Sequence, residues 1–138
     1  MKEIEADFII QHARLTHKIL RRADSQLNIH GISFSEYMLL YYLNEAPNNV
    51  MRRIDLAEAV GISASGVTRM LAPMEKIKLV EKEINPRDAR VSLVKLSETG
   101  KTIFAEASVT FAHTAKSITH ALTTEQLKKM LGFTSQLV

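Results

Sequence analysis

The sequence predicts a mainly α-helical fold with one small β-hairpin, a winged helix-turn-helix flanked by long helices. Three observations predict it. Two short helical segments meet at a glycine in "LAEAVGISASGVTRML", Leu56 to Leu71. Two β-rich runs, "LVEKEI" and "VSLVKL", follow at once, joined by "NPRDAR" with its Asn-Pro turn opener. Long stretches of helical periodicity lie on both sides of this middle third.

The first helix spans Ile4 to about Leu27. Ile4, Phe8, His12, Leu15 and Ile19 recur at helical spacing, with Arg14, Lys18 and Arg21 on another stripe. "NIHGIS" breaks it at Asn28 and Gly31. "SFSE" then opens a second helix as a capping box, Ser33 accepting from the N–H three residues on and Glu36 reaching back. That helix, "SEYMLLYYLNEA", is apolar around most of its circumference, which predicts a central position; "PNN" at 47–49 ends it. The two short helices run from Arg53 to Val60 and from Ala64 to about Ile77. Between them Gly61 supplies the positive φ of a tight turn, small Ala57 permits close packing, Val67 anchors the second helix and Ser63 caps it. After the hairpin, Ser97 caps a long helix expected to reach about Ala121, with Gly100 tolerated in its first turn. Phe104, Ala107, Phe111, Ala115, Ile118 and Leu122 make its apolar face. "TTEQ" at 123–126 is a second capping box and opens a final helix. With no internal repeat or low-complexity linker, residues 1–138 read as one domain.

Composition narrows the function. A chain of 138 residues with 46% hydrophobic and 24% charged residues is an ordinary globular protein. The absence of cysteine removes disulfides, a cysteine nucleophile and thiolate zinc sites, and fits a reducing compartment. "MKEIEADFII" carries acids among its apolar positions, unlike a secretory signal, and no apolar run is long enough for a bilayer, so a cytoplasmic location without membrane contact is expected. There is no G-x-S-x-G, HExxH or glycine-rich phosphate loop, so no enzyme activity and no cofactor are predicted. His12 and His17 do not share a helix face, and His113 and His120 are two turns apart, so no metal site is predicted.

The charge is uneven. Asn49 to Leu96 holds nine basic residues against six acidic ones, so the whole formal net charge of +3 lies in the middle third. An anionic partner is favoured there, most simply double-stranded DNA. Ala64, Ser65 and Gly66 keep the start of the second short helix free of bulk, where exposed N–H groups suit a phosphate. Ser65, Thr68 and Arg69 are the candidate major-groove contacts, Arg69 being able to read a guanine with two hydrogen bonds. Ser63 is a cap first and a phosphate contact second. Arg87 and Arg90 at the hairpin tip can reach a minor groove, with Asp88 holding an arginine or starting the turn. The competing reading is a winged helix that binds protein; internal ion pairs at Arg69 or the wing arginines would support it.

These residues resemble the MarR-type winged-helix regulators (multiple antibiotic resistance). The family pattern LA…S.S.VTR…LE..GLV falls on Leu56-Ala57, Ser63, Ser65, Val67-Thr68-Arg69, Met74-Glu75 and Leu79-Val80. Its wing-tip DxR falls on Asp88 and Arg90, and its L[TS]..G on Leu96 to Gly100. These motifs cover about a third of the chain. Two positions depart. Lys78 replaces the glycine before "LV", so the helix must end without a glycine cap. Pro73 lies inside the recognition-helix pattern, where it removes a hydrogen bond to the Arg69 carbonyl and is expected to bend the helix, on the side away from DNA.

The resemblance implies a homodimeric transcriptional repressor, with residues 33–96 as the DNA-binding lobe and 1–30 with 97–138 as the dimerisation lobe. The long helices allow this independently, since their apolar faces would stay partly exposed in a monomer. The operator would be a near-palindrome with half-sites about 10 base pairs apart. Release by a small phenolic or anionic effector is also implied; His12, Tyr37, Tyr41 and His113 are candidate pocket residues, though each is also an ordinary packing residue. A metal-responsive regulator of the same fold is the remaining alternative.

Overall fold

Helix α1 (Ile4–Leu27) begins the fold in the structure, a computed structural model that describes residues 3–138. Only its C-terminal half meets the core, through Ala23 and Leu27. A 3₁₀ turn at Asn28–His30 and left-handed Gly31 (φ 76°) redirect the chain into α2 (Phe34–Glu45). The α2 cap is reciprocal: Ser33 Oγ accepts from Glu36 N at 3.1 Å, and Glu36 Oε1 accepts from Ser33 N at 2.8 Å. Asp24 of α1 accepts from Phe34 N at 2.7 Å, so a third side-chain oxygen satisfies an orphan donor of the same helix end. Tyr37, Leu39, Leu40 and Leu43 are buried, and α2 packs on α1, on the helices that follow and on the sheet. It is the central helix, as its all-round apolarity requires.

Asn48 and Asn49 then take consecutive left-handed conformations (φ 57° and 59°), which asparagine tolerates better than other side chains. Asn49 Nδ2 donates to the Leu43 and Asn44 carbonyls at 3.3 and 3.1 Å, capping the end of α2. The reversed chain forms a strand that the sequence pattern does not show, β1 (Val50–Arg52). It pairs antiparallel with β3 (Ser92–Leu96), which also pairs with β2 (Val80–Ile84), giving a three-stranded sheet in the order β1-β3-β2 where a two-stranded hairpin was expected. Helices α3 (Arg53–Val60) and α4 (Ala64–Lys76) lie between β1 and β2 in the chain. The core of the middle third is Leu56, Val67, Leu71, Met74, Val80, Val94 and Leu96, all essentially inaccessible.

Helix α5 (Glu98–Ile118) starts at a tight junction. Ser97 N and Oγ both donate to the Leu79 carbonyl, at 3.1 and 2.9 Å; Oγ also lies 2.6 Å from the Lys78 carbonyl and accepts from Gly100 N at 2.9 Å. Gly100 is required here and not merely tolerated: a Cβ on it would stand 2.1 Å from the Leu79 carbonyl oxygen. The helix stops at Ile118, short of the expected Ala121: Thr119 leaves the helical conformation (φ −100°, ψ 9°), and Leu122 falls in the following turn, its N donating to the Thr119 carbonyl at 3.0 Å. Helix α6 (Thr124–Ser135) has its Thr123/Gln126 capping box, but none of its residues is buried. Leu131 and Phe133 are 70% and 68% exposed, and α6 has no extensive packing against any other element.

Candidate nucleic-acid interface

The turn between α3 and α4 follows from one backbone conformation. Gly61 at φ 74° lets Ile62 N donate to the Ala57 carbonyl at 3.0 Å and Gly61 N to the Glu58 carbonyl at 3.2 Å, ending α3 in a left-handed cap. Ser63 Oγ accepts from Gly66 N at 3.0 Å and caps α4. Val67, Leu71 and Met74 then face the core at helical spacing. Ala64, Ser65, Thr68, Arg69 and Ala72 stay exposed on the other side, so the three expected groove-facing residues share one open face.

Helix α4 runs unbroken through Pro73, so the expected bend does not interrupt it. Pro73 also does not lie on the opposite side from that face. It is exposed and one turn beyond Arg69, at the C-terminal end of the same stripe, because the opposite side belongs to Val67, Leu71 and Met74. Lys78 does what the family's glycine would do. It adopts φ 63°, with Lys78 N donating to the Glu75 carbonyl (3.0 Å) and Leu79 N to the Met74 carbonyl (2.9 Å). The helix end keeps a glycine-type geometry at the expense of left-handed strain of about 1–2 kcal/mol.

The wing tip is organised by two side-chain turns. Asn85 Oδ1 accepts from Arg87 N at 2.9 Å and Asp88 Oδ1 from Arg90 N at 3.0 Å. Arg90 returns to the same carboxylate with Nε and Nη2, at 3.1 and 3.2 Å. These bonds from the Arg90 side chain and then its backbone hold the Asp88 carboxyl below its ordinary range. Asp88 therefore both starts the turn and holds an arginine. The Arg90 side chain is 91% exposed, so the pair aims the guanidinium without covering it. Of the three arginines, Arg90 is thus in an ion pair within the chain, to a residue two positions away on the same open tip, and Arg69 and Arg87 are in none among the described residues.

Sequence reasoning gave no role to Arg53. Its Nη2 lies 2.7 Å from Glu75 Oε1 and its Nε 2.8 Å from Ser92 Oγ, and both charged side chains are withdrawn from solvent (15% and 22% exposed). The partners are 22 and 39 residues away, and no local spacing signals them.

The four candidate effector residues are not gathered in one cavity of the chain. Tyr37 is buried, stacked near Phe104 and Phe111, with its hydroxyl 2.9 Å from Ser108 Oγ. Tyr41 is exposed beside Tyr42 and Phe104. The His12 ring lies 4.1 Å from that of Phe8 at a tilt of 40°, and its Nδ1 is 3.2 Å from the Phe8 carbonyl. His113 stands on the open face of α5 beside Val109 and Lys116. The basic stripe of α1 instead lines an open groove of about 720 Å³ through Arg14, His17, Lys18, Arg21 and Arg22. Among the described residues no three His, Asp or Glu side chains gather as a metal site, and no helix is long and apolar enough to cross a membrane.

A model of the MarR family matches residues 30–91 of the chain, from the turn before α2 to the wing. The fold is similar to a MarR family transcriptional regulator of Streptomyces coelicolor solved in complex with DNA: TM-score 0.87, 22% identity, covering 99% of this chain and 88% of that one. It is also similar to a mutant of MarR from E. coli complexed with operator DNA (TM-score 0.86, 19% identity, 99% of each chain). A third likeness is to MepR of S. aureus in a DNA complex (TM-score 0.81, 18% identity, 99% of this chain and 97% of that one).

Proposed function

We propose that the chain is a member of the MarR family of winged-helix transcriptional regulators, whose model matches residues 30–91, and that it acts as a homodimeric repressor on a near-palindromic operator. The observation that carries this reading is the shared exposed face of α4 with Ser65, Thr68 and unpaired Arg69, beside a wing whose Arg90 is aimed outward by Asp88. Ser65, Thr68 and Arg69 enter a major groove, Arg87 and Arg90 meet the adjoining minor groove, and Ser63 holds the α4 end at a phosphate. Structures of similar fold from S. coelicolor and S. aureus hold DNA, which supports the same partner here.

Dimerisation is supported by what the single chain leaves open. An isolated helix of the length of α6 is marginal in water, yet α6 buries none of its residues and exposes Met130, Leu131 and Phe133. The N-terminal half of α1 likewise exposes Ile4, Phe8, Ile9 and Ile10. A two-fold partner covering both sets would complete a lobe made of residues 1–30 and 97–138, and would leave 33–96 as the DNA-binding lobe. The α1 groove is walled by α1 alone. With a partner as second wall, its basic side chains suit a small anionic or phenolic effector whose binding favours a spacing of the lobes that does not fit the operator.

The test is a titration of the protein against the DNA upstream of its own gene at two salt concentrations, with Arg69→Ala and Arg90→Ala. Binding that weakens steeply with salt, and by about tenfold or more in either variant, is expected. A chain that binds neither that fragment nor random duplex at low salt refutes the reading and favours a protein-interaction role.

A further inference from the structure

We infer that Arg53 is a positioning residue that locks the wing to α4, so that both elements meet DNA in one fixed arrangement; this rests on the DNA-binding reading above. Arg53 stands where three elements converge. It follows β1, opens α3, and reaches α4 through Glu75 (2.7 Å) and β3 through Ser92 (2.8 Å). Ser92 lies at the tip-side end of the wing, paired with Ile84 and two residues beyond Arg90. Glu75 lies on α4 six residues beyond Arg69. The guanidinium thus joins the outer end of one candidate DNA-contacting element to the body of the other.

No other polar contact does this. At the inner end of the sheet Ser97 N donates to the Leu79 carbonyl and Val80 pairs with Leu96, and the ladder of β1 on β3 runs from Val50 opposite Lys95 to Arg52 opposite Leu93, ending one residue short of Ser92. Beyond Val80, β2 is exposed along its whole length. Outward of Leu93 the wing has only two strands, β2 and β3; an isolated two-stranded hairpin is marginally stable, and Arg53 adds a side-chain hold on β3 where the β1 ladder stops. A lysine carries the charge but has no planar fork to hold both partners in fixed directions.

Two measurements test this. The chain has no cysteine, so spin labels at Ala72→Cys on α4 and Pro86→Cys on the wing report one distance distribution, without DNA. Arg53→Met should broaden it, Ser92→Ala should broaden it less, and Arg53→Lys should not restore the wild-type width. Ser92→Ala removes one exposed hydroxyl and keeps the test intact if Arg53→Met fails to fold. The second measurement is a double-mutant cycle on operator DNA. Arg90→Ala should lower affinity about tenfold in the wild-type background and less than about threefold in Arg53→Met, because a loose wing has already lost that contact. Unchanged distance distributions, or Arg53 and Arg90 effects that simply multiply, overturn the proposal. A wild-type chain that binds no DNA refutes the functional reading instead, and the distance measurement still decides whether Arg53 holds the wing.

Discussion

Gly100→Ala is the substitution whose outcome follows most directly from the packing. In most helices the change gains up to about 1 kcal/mol, because glycine gives up more backbone freedom. Here the added Cβ would lie 2.1 Å from the Leu79 carbonyl oxygen, 2.7 Å from Leu96 Cδ1 and 3.1 Å from the Leu79 carbonyl carbon. The first contact is nearly 1 Å inside the 3.0 Å below which Cβ neighbours are not found. It is with backbone, and that carbonyl is held by Ser97 N and Oγ. Either α5 backs away and those bonds lengthen, at about 0.5–1.5 kcal/mol each, or the overlap stays, at about 1–3 kcal/mol. A net loss of about 1–2 kcal/mol remains. Thermal unfolding at fixed protein concentration should show it as a fall in Tm of roughly 3–10 °C. Gly132→Ala in α6, where the added Cβ meets nothing within 4 Å of its own chain, is the control and should gain up to about 1 kcal/mol. A Gly100→Ala protein as stable as wild type would refute the close approach between α5 and the Leu79 turn.

Lys78→Gly should raise stability by up to about 1 kcal/mol, since relief of left-handed strain outweighs the added freedom of the unfolded chain; chemical denaturation measures it. Ser63→Ala removes the α4 cap and should lower stability by about 1 kcal/mol by the same assay. Phe133→Glu should yield monomers in sedimentation, and an unchanged dimer would place the interface elsewhere than α6. The folded-state carboxyl of Asp88 is depressed, so what its pairing with Arg90 contributes is present at neutral pH and is lost as pH falls below the ordinary carboxylate range. In an NMR titration Arg90→Ala should return Asp88 toward its ordinary value; an unmoved midpoint would mean that other groups set it.

What could be read in advance was local. Ser33 with Glu36, Ser63, Ser97, and Thr123 with Gln126 each announce a helix start within four residues, and every one caps the helix expected of it. Gly61 marks its turn by the same logic. The failures share a different cause. Strand β1 has three residues, too few to show alternation, and exists because β3 offers it an edge more than forty positions later. Ile118 and Leu122 continue the apolar spacing and point to a later end for α5, while the backbone leaves the helix at Thr119 and turns, Leu122 N donating to the Thr119 carbonyl. The constraint on Gly100 comes from Leu79, and the reach of Arg53 from Glu75 and Ser92. Periodicity and caps report a residue's own turn of chain; they carry no information about which distant backbone arrives beside it.

The candidate DNA contacts divide the same way. Ser65, Thr68 and Arg69 face outward because Val67, Leu71 and Met74 face inward, and helical spacing alone implies that. The wing arginines were legible from the Asn-Pro turn and the DxR spacing. The effector residues were chosen by residue type. Tyr37 fills the core with a satisfied hydroxyl, whereas the α1 stripe of Arg14, Lys18 and Arg21 borders an open groove.

Hydroxyl-radical footprinting on the DNA upstream of the gene, with the number of chains per site counted in the same complex, tests the central claim most directly. The account predicts two half-sites of backbone protection about 10 base pairs apart, each flanked by minor-groove protection from a wing, and two chains on the pair. One half-site occupied by a single chain, or protection without any such period, would contradict it.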